Sequence, residues 1–129
     1  MSQTKQKYFT PAEAVKTLPL VKKIVRDILS NGVRIREILE STEGEIEGNI
    51  EIERLSSELN RYLHELEELG CYYKDWNFQI GLVDFPAIID GKEVFLCWRS
   101  DEAEILFYHG VDEGYAGRKE ISPHFRIKI

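Results

Sequence analysis

The sequence predicts an α+β protein in which a long antiparallel helical hairpin packs on a small antiparallel β-meander of three to four strands. Two observations predict this fold class. Apolar residues recur at steps of three and four over roughly the first half of the chain, as on one face of a helix, and after Gly70 they alternate with polar residues. We expect a single domain over residues 1–129, with the hairpin at 8–70 and the meander and C-terminal tail at 71–129.

The first helix is expected to begin at a capping box. Thr10 is a hydroxyl N-cap, Pro11 suits the first helical position, and Glu13 is placed to bond back to the cap. The apolar stripe keeps its phase past Pro19 and Gly32. We therefore expect one continuous helix with a close packing contact at the glycine.

The second helix follows a polar reversal at residues 41–45. It is expected to end at Gly70, because glycine readily adopts the left-handed conformation of a C-terminal cap. Its apolar stripe again steps by three and four: Ile52, Leu55, Leu59, Tyr62, Leu66 and Leu69.

The charge distribution bears on possible partners. The net charge is −6, with basic residues concentrated in the first helix and acidic residues in the second, where an antiparallel hairpin places them side by side. No aromatic residue lies between Thr10 and Tyr62, so nucleic acid is not expected as a partner. No apolar run is long enough to span a membrane. Cys71 and Cys97 are expected to be reduced thiols in a cytoplasmic protein.

The strongest turn signal is Asp90-Gly91, because a two-residue hairpin turn needs positive φ at both positions. It fixes a register in which Asp84 faces Cys97. The face expected to pack on the helices is apolar throughout: Val83, Phe85, Ala87, Ile89, Val94, Leu96 and Trp98. The outer face is half polar: Leu82, Asp84, Pro86, Ile88, Glu93, Phe95, Cys97 and Arg99.

Three further segments are strand candidates. Residues 71–74 precede the hairpin and residues 104–109 follow it. Ile121 together with residues 125–129 is a candidate edge strand.

Asp84, Cys97 and His109 are the candidate catalytic residues. Asp84 is a carboxylate in an apolar run, and we expect it to pair with Arg99, either to fix the sheet register or as part of a site. The carboxylate makes Cys97 a poor nucleophile unless His109 reaches it. A turn of two or four residues after Arg99 would place His109 on the core face, which apolar matching favours, whereas a turn of three residues would place it beside Cys97.

The segment from His109 to Arg118 is punctuated by glycines and carries both signs of charge. Its backbone amides and Arg118 are suited to a small anion, and the candidate ligand-binding residues are Arg99, Tyr108, Gly114, Gly117 and Arg118. His109, Asp112 and Glu113 are alternative candidates for divalent metal ligands. A connector held by its own ion pairs would show the same pattern.

The helix lengths suggest an assembly. A helix of about 25 to 30 residues is about 40 Å long, whereas a strand of about six residues reaches about 20 Å. Apolar residues at the far end of the hairpin would then be partly exposed: Ile35, Ile38, Leu39, Ile46 and Ile50. A homodimer through the helical hairpin is the simplest cover, and a fraying hairpin end is the alternative.

Several short runs carry a resemblance to a known family: Phe9-Thr10, Ala12-Glu13-Ala14, Leu18-Pro19, Lys74-Asp75, 81–87, 94–99, Glu104, His109 and 114–118. Over residues 8–121 the chain resembles domain of unknown function 2203, an uncharacterised bacterial family. Family members usually carry a tryptophan before the histidine, where this chain has Tyr108. The resemblance implies a compact, cytoplasmic bacterial protein and supplies no mechanism.

The sequence contains no phosphate loop, paired metal-ligand spacing, nucleophile elbow or dinucleotide fingerprint, and no cofactor is expected. The favoured function is a dimeric binding or adaptor module. The alternative is a small-molecule enzyme or metal-dependent hydrolase that uses Asp84, His109, Asp112, Glu113 and Arg118.

Overall fold

The computed structural model describes residues 7–41, 49–75 and 77–122. Two helices, α1 (Pro11–Ser41) and α2 (Ile50–Leu69), precede the strands β1 (Tyr72–Tyr73), β2 (Leu82–Ile89), β3 (Lys92–Arg99), β4 (Phe107–Gly110) and β5 (Lys119–Glu120). The strands form one antiparallel sheet in the order β1-β2-β3-β4-β5. The predicted α+β class is confirmed, and among the described residues the sheet has five strands where three to four were predicted. None of the described helices contains an apolar stretch of bilayer-spanning length.

The helix α1 begins at the predicted capping box. Thr10 Oγ1 accepts the Glu13 N–H at 3.1 Å, and the Thr10 N–H donates to Glu13 Oε1 at 2.9 Å. The helix continues through Pro19 and Gly32. A methyl group at Gly32 would lie 2.6 Å from Phe78 Cβ, so the predicted close contact is confirmed.

The helix α2 has a cap at each end. Asn49 Oδ1 accepts the Ile52 N–H at 2.9 Å at the start. Gly70 ends the helix with φ of 97° and donates its N–H to the Glu67 carbonyl at 2.9 Å, as its sequence position predicted. The predicted reversal falls almost entirely within residues 42–48, which lie outside the described residues.

The Asp90-Gly91 turn sets the register of the sheet. The two residues have φ of 52° and 78°, and β2 pairs with β3 in the predicted register. The apolar face of this hairpin lies in the main core with residues of both helices. At its centre Phe85 is 0% exposed and meets Phe9 edge-on, with ring centroids 5.2 Å apart.

The remaining strands are shorter than predicted. The candidate at 71–74 forms β1, and the candidate at 104–109 forms only β4. The strand beside β4 is β5, which ends one residue before the predicted Ile121, and the Ile121 N–H donates to the Leu106 carbonyl at 2.8 Å. Residues 125–129 lie outside the described residues.

The far end of the hairpin has its own small core. Ile38 is buried there with Ile52 and Leu55, so the expectation that Ile38 is partly exposed is wrong, because the two helices cover it. Ile35 and Leu39 are half-buried beside it. Ile50 is 80% exposed as predicted, and Ile46 lies outside the described residues.

Candidate functional site

The three candidate catalytic residues meet on the outer face of the sheet, the side away from the helices. Asp84 of β2 pairs with Cys97 of β3, and His109 of β4 lies opposite Phe95, on the same face as Cys97. His109 Nε2 is 3.1 Å from Asp84 Oδ1. One nitrogen, oxygen or sulfur atom from each residue lies within 4.8 Å of the other two. We call this group the Asp84–Cys97–His109 cluster.

The position of His109 corrects the favoured prediction, which placed it on the core face with Phe107. Both residues lie on the outer face, and Tyr108 takes the inner position opposite Leu96. The prediction assumed that apolar residues of the third strand must face the helices. It was wrong because the outer face of the sheet is covered as well. The Arg118 guanidinium lies 4.1 Å from the centroid of the Phe107 ring, so an apolar residue on this face is not left in water.

Arg99 is not the partner of Asp84, which corrects a second expectation. Arg99 Nε donates to Asp101 Oδ1 at 2.6 Å, and Nη1 donates to the Tyr115 hydroxyl. Asp101 is only two residues away in the turn after β3, so little conformational entropy is lost when it pairs with the guanidinium. The carboxylate of Asp84 is bonded to His109 instead.

The cluster is buried, and burial changes its electrostatics. Asp84 and His109 are each 3% exposed, and Cys97 is 2% exposed. Burial raises the pKa of the Asp84 carboxyl, against the weaker opposing attraction of His109. Burial, reinforced by the Asp84 carboxylate, raises the pKa of the Cys97 thiol to about 12. Without a cation beside it, Cys97 is therefore a neutral thiol at physiological pH and not a nucleophile.

The hydrogen bonds of His109 assign its tautomer. Nδ1 lies 2.8 Å from the Gly110 carbonyl oxygen, which can only accept, so Nδ1 carries a hydrogen. Nε2 faces a carboxylate oxygen of Asp84. A hydrogen bond between these two atoms needs one hydrogen, carried either by Nε2 or by the Asp84 carboxyl. The two atoms therefore share one hydrogen position.

A cavity of about 280 Å³ opens over the cluster. Besides the three cluster residues, it is lined by Lys74, Leu82, Phe95, Val111, Glu113, Gly114 and Tyr115. The Phe95 and His109 rings contact each other, with centroids 5.5 Å apart. The cluster therefore forms part of the wall of this cavity and exposes little of its surface there.

Arg118 holds the connecting segment over the outer face. Its Nη2 donates to both carboxylate oxygens of Glu102, at 2.6 and 2.7 Å, and to the Cys97 carbonyl at 3.1 Å. The guanidinium also stacks on Phe107 and Tyr115. The predicted anion clamp is therefore occupied by Glu102 in this arrangement. The Arg118 Nε is buried without a hydrogen-bond partner.

The other predicted ligand-binding residues are spread over different environments. Gly114 lines the cavity, and a methyl group there would meet nothing within 4 Å. Gly117 packs against Glu113, whose Cβ would lie 2.9 Å from an added methyl group. Tyr108 is half-buried on the inner face beside the main core. The structure thus brings only Gly114 of these three to the cavity.

The predicted metal ligands are not brought together as a set. Asp112 is exposed. The Glu113 carboxylate accepts the Gly110 N–H at 2.8 Å and lies 3.1 Å from Lys119 Nζ. In the described part of the chain, the group of metal-binding side chains that does converge is the Asp84–Cys97–His109 cluster.

Lys74 and Tyr115 line the cavity although neither was predicted from the sequence to be a site residue. Lys74 Nζ lies 5.7 Å from the Phe95 ring centroid and 5.9 Å from that of Tyr72. Lys74 could have been predicted here, because it ends the strand candidate at 71–74. In the structure its N–H donates to the Leu82 carbonyl of β2 at 2.8 Å. Tyr115 lies in a loop whose path over the sheet could not be read from periodicity.

The fold and the cluster define an α+β protein with a buried aspartate, cysteine and histidine under a small cavity. The chain belongs to the family described as "Uncharacterized conserved protein (DUF2203)", whose model matches residues 7–121. This confirms the resemblance seen in the sequence. No curated protein and no solved structure gave a significant match to the chain.

Proposed function

We propose that the protein binds a divalent metal ion of the zinc class through Asp84, Cys97 and His109, and presents that ion to a small molecule in the cavity. One observation carries the proposal: His109 Nε2 lies 3.1 Å from Asp84 Oδ1, while the other ring nitrogen, Nδ1, is hydrogen-bonded to the Gly110 carbonyl. A metal ion in the shared position would replace the proton.

The second contact of His109 supports the metal. Histidines that bind metals almost always donate their other ring N–H to a carbonyl or carboxylate, which fixes the tautomer and the ring. The Gly110 carbonyl accepts that bond here, at 2.8 Å. The free lone pair of Nε2 is thereby directed toward Asp84 and away from the backbone.

The donor set favours zinc over magnesium or calcium. One imidazole, one carboxylate and one thiolate are ligands that Zn²⁺ and similar transition ions prefer, whereas Mg²⁺ and Ca²⁺ take oxygen ligands. Bond lengths of about 2.0 to 2.3 Å place tetrahedral ligand atoms about 3.5 Å apart. The three atoms lie within 4.8 Å of one another, so they would need to draw together by about 1 Å to bind the ion. Cys97 would bind as the thiolate and lose its proton to solvent.

Three protein ligands leave a fourth tetrahedral position open, as in catalytic rather than structural zinc sites. All three ligand residues line the cavity of about 280 Å³, so an open position on the ion would be supplied from that cavity. An open site of this kind polarises a bound carbonyl or phosphoryl oxygen, which is the chemistry of metal-dependent hydrolysis.

The test is titration of the purified, metal-free protein with Co²⁺, which takes zinc sites and shows visible absorption in tetrahedral coordination. We expect one equivalent to bind, with a thiolate-to-cobalt charge-transfer band. Cys97→Ser should abolish that band and weaken binding more than about 100-fold, because loss of an outer partner alone costs about 10- to 100-fold.

Cys71→Ser is the matched control, because Cys71 is also buried but lies in the main core. We expect its cobalt spectrum to equal that of the unmodified protein. Absence of a one-equivalent band, or equal spectra for both cysteine variants, would show that the cluster is a hydrogen-bonded network without a metal.

A second proposal concerns assembly. We propose that the protein acts as a dimeric binding module in which two copies meet through the far ends of their helical hairpins. Its support is apolar exposure: Ile50 is 80% and Val33 is 43% exposed. Both lie outside the main core, toward the end with the small separate cluster of Ile38, Ile52 and Leu55. Continuous exposed apolar surface is commonly covered by a partner.

Light scattering at micromolar concentration tests the dimer. We expect twice the mass of one chain for the unmodified protein and the mass of one chain for Ile50→Glu. Ile88→Glu is the control, because Ile88 is 53% exposed on the sheet and is not part of the helical hairpin. This variant should therefore stay dimeric. A monomeric unmodified protein would refute the assembly and leave the metal proposal untouched.

A further inference from the structure

We propose that the cavity over the Asp84–Cys97–His109 cluster takes a small organic anion, whose carboxylate or phosphate is held by Lys74 beside the metal. This inference rests on the metal site proposed above and names the class of molecule that the site would bind. Three properties of the cavity lead to it: the placement of Lys74, the charge balance, and the character of the walls.

The backbone of Lys74 is held next to the cluster, and its exposed side chain lines the cavity. Its backbone is held by the bond from its N–H to the Leu82 carbonyl, at 2.8 Å, and its ammonium lies 5.7 Å from the Phe95 ring centroid. Phe95 in turn contacts the His109 ring. Lys74 lines the same cavity as all three cluster residues, so its ammonium faces the space in which a ligand of the metal would lie.

The charge balance of the metal-loaded cavity leaves Lys74 uncompensated. The Asp84 carboxylate and the Cys97 thiolate together neutralise a divalent ion. Glu113 also lines the cavity, but its carboxylate is bonded to the Gly110 N–H and paired with Lys119 at 3.1 Å. Among the described residues no ion pair joins Lys74 to a carboxylate. A monoanion would balance this remaining positive charge.

The apolar walls of the cavity indicate that the anionic group belongs to an organic molecule. Leu82, Phe95, Val111 and Tyr115 present apolar and aromatic surface around the cavity. Its volume of about 280 Å³ lies just below the range of about 300 to 1,000 Å³ that is typical of small-molecule sites, so the organic body must be small. A molecule with one anionic group and about six to ten carbon atoms would fill it.

Benzoate and its neutral analogue benzamide test the inference, because they share shape and differ in charge. Each is titrated into the Co²⁺-loaded protein while the visible spectrum is recorded. We expect benzoate to shift the spectrum and to bind at least about tenfold more tightly than benzamide, as one charge-assisted hydrogen bond provides. Inorganic phosphate in a parallel titration separates a preference for phosphate from one for carboxylate.

Lys74→Gln should reduce the preference for benzoate by about tenfold, and Lys74→Arg should restore most of it. Lys92→Gln is the matched control, because Lys92 is an exposed lysine at the far end of the β2–β3 hairpin. Its preference for benzoate should be unchanged.

The possible failures are distinguishable. If the cobalt spectrum forms but benzoate and benzamide bind alike, or if the Lys74→Gln and Lys92→Gln variants behave alike, the anion inference is wrong and the metal site stands. If no cobalt spectrum forms, the metal proposal is wrong, and the anion inference fails with it because the charge balance depends on the ion.

Discussion

On the inner side of the sheet, Val83, Phe85 and Leu96 are buried under two long helices. On the outer side, Asp84 and Cys97 are just as deeply buried, but under a loop held down by Arg118. Alternate residues of the same two strands therefore enter two different environments. The inner side contains almost only apolar atoms, whereas the outer side contains acid, thiol and imidazole groups.

The difference between the two sides has an energetic meaning. Apolar burial on the inner side stabilises the fold by about 25 cal/mol for each Å² removed from water. Burial of Asp84 costs free energy unless each polar atom is bonded, and its raised pKa reflects that cost. Residues that oppose stability in this way are frequent at functional sites. The outer side is therefore the better place to look for function, and the inner side for stability.

Phe85→Ala should produce the largest loss of stability. The side chain is 0% exposed and packs edge-on against Phe9, so its truncation leaves a cavity in the main core. We expect unfolding free energy to fall by about 3–5 kcal/mol, measured by urea denaturation. The metal-binding stoichiometry of the folded fraction should not change. A loss below about 1 kcal/mol would show that the inner side is not the main source of stability.

Glu102→Ala should have the next largest effect, through the loop over the outer side. Glu102 and Arg118 have side chains that are only 11% and 10% exposed, so removal of the carboxylate leaves a buried guanidinium without its partner. We expect a loss of about 2–4 kcal/mol in urea denaturation.

Asp101→Ala is the comparison for Glu102→Ala, because the Arg99–Asp101 pair is in the same loop but its side chains are 32% and 54% exposed. Its expected cost is below about 1 kcal/mol. Equal losses for the two variants would mean that Arg118 does not hold the loop through a buried ion pair.

The inner side could be predicted from the sequence, because local signals determine it. Asp90 and Gly91 require a two-residue turn, and the turn sets the β2–β3 register without reference to the rest of the chain. The capping box at Thr10 and the glycine cap at Gly70 are local in the same sense.

The outer side could be predicted only in part, because it depends on a connector without periodicity. Asp84 and Cys97 were placed correctly by the turn, but His109 depends on the path from β3 to β4. Glu102 shapes that path by accepting the Arg99 N–H at 2.8 Å, and its carbonyl accepts the Trp98 indole N–H at 2.9 Å. These bonds between side chain and backbone allow His109 to pair opposite Phe95, a result that counting apolar positions does not give.

Gly117→Ala should destabilise the protein less than Phe85→Ala or Glu102→Ala, and it separates two glycines that were both predicted to bind a ligand. A methyl group at Gly117 would lie 2.9 Å from Glu113 Cβ, so it would displace the side chain that binds the Gly110 N–H. We expect a loss of about 1–2 kcal/mol. At Gly114 a methyl group meets nothing within 4 Å, and the φ of −110° suits alanine. Gly114→Ala should therefore be neutral or stabilise by up to about 1 kcal/mol, because alanine loses less chain entropy on folding. Thermal denaturation of the two variants side by side measures the contrast. If both lose stability equally, backbone conformation rather than contact with Glu113 makes glycine necessary in this loop.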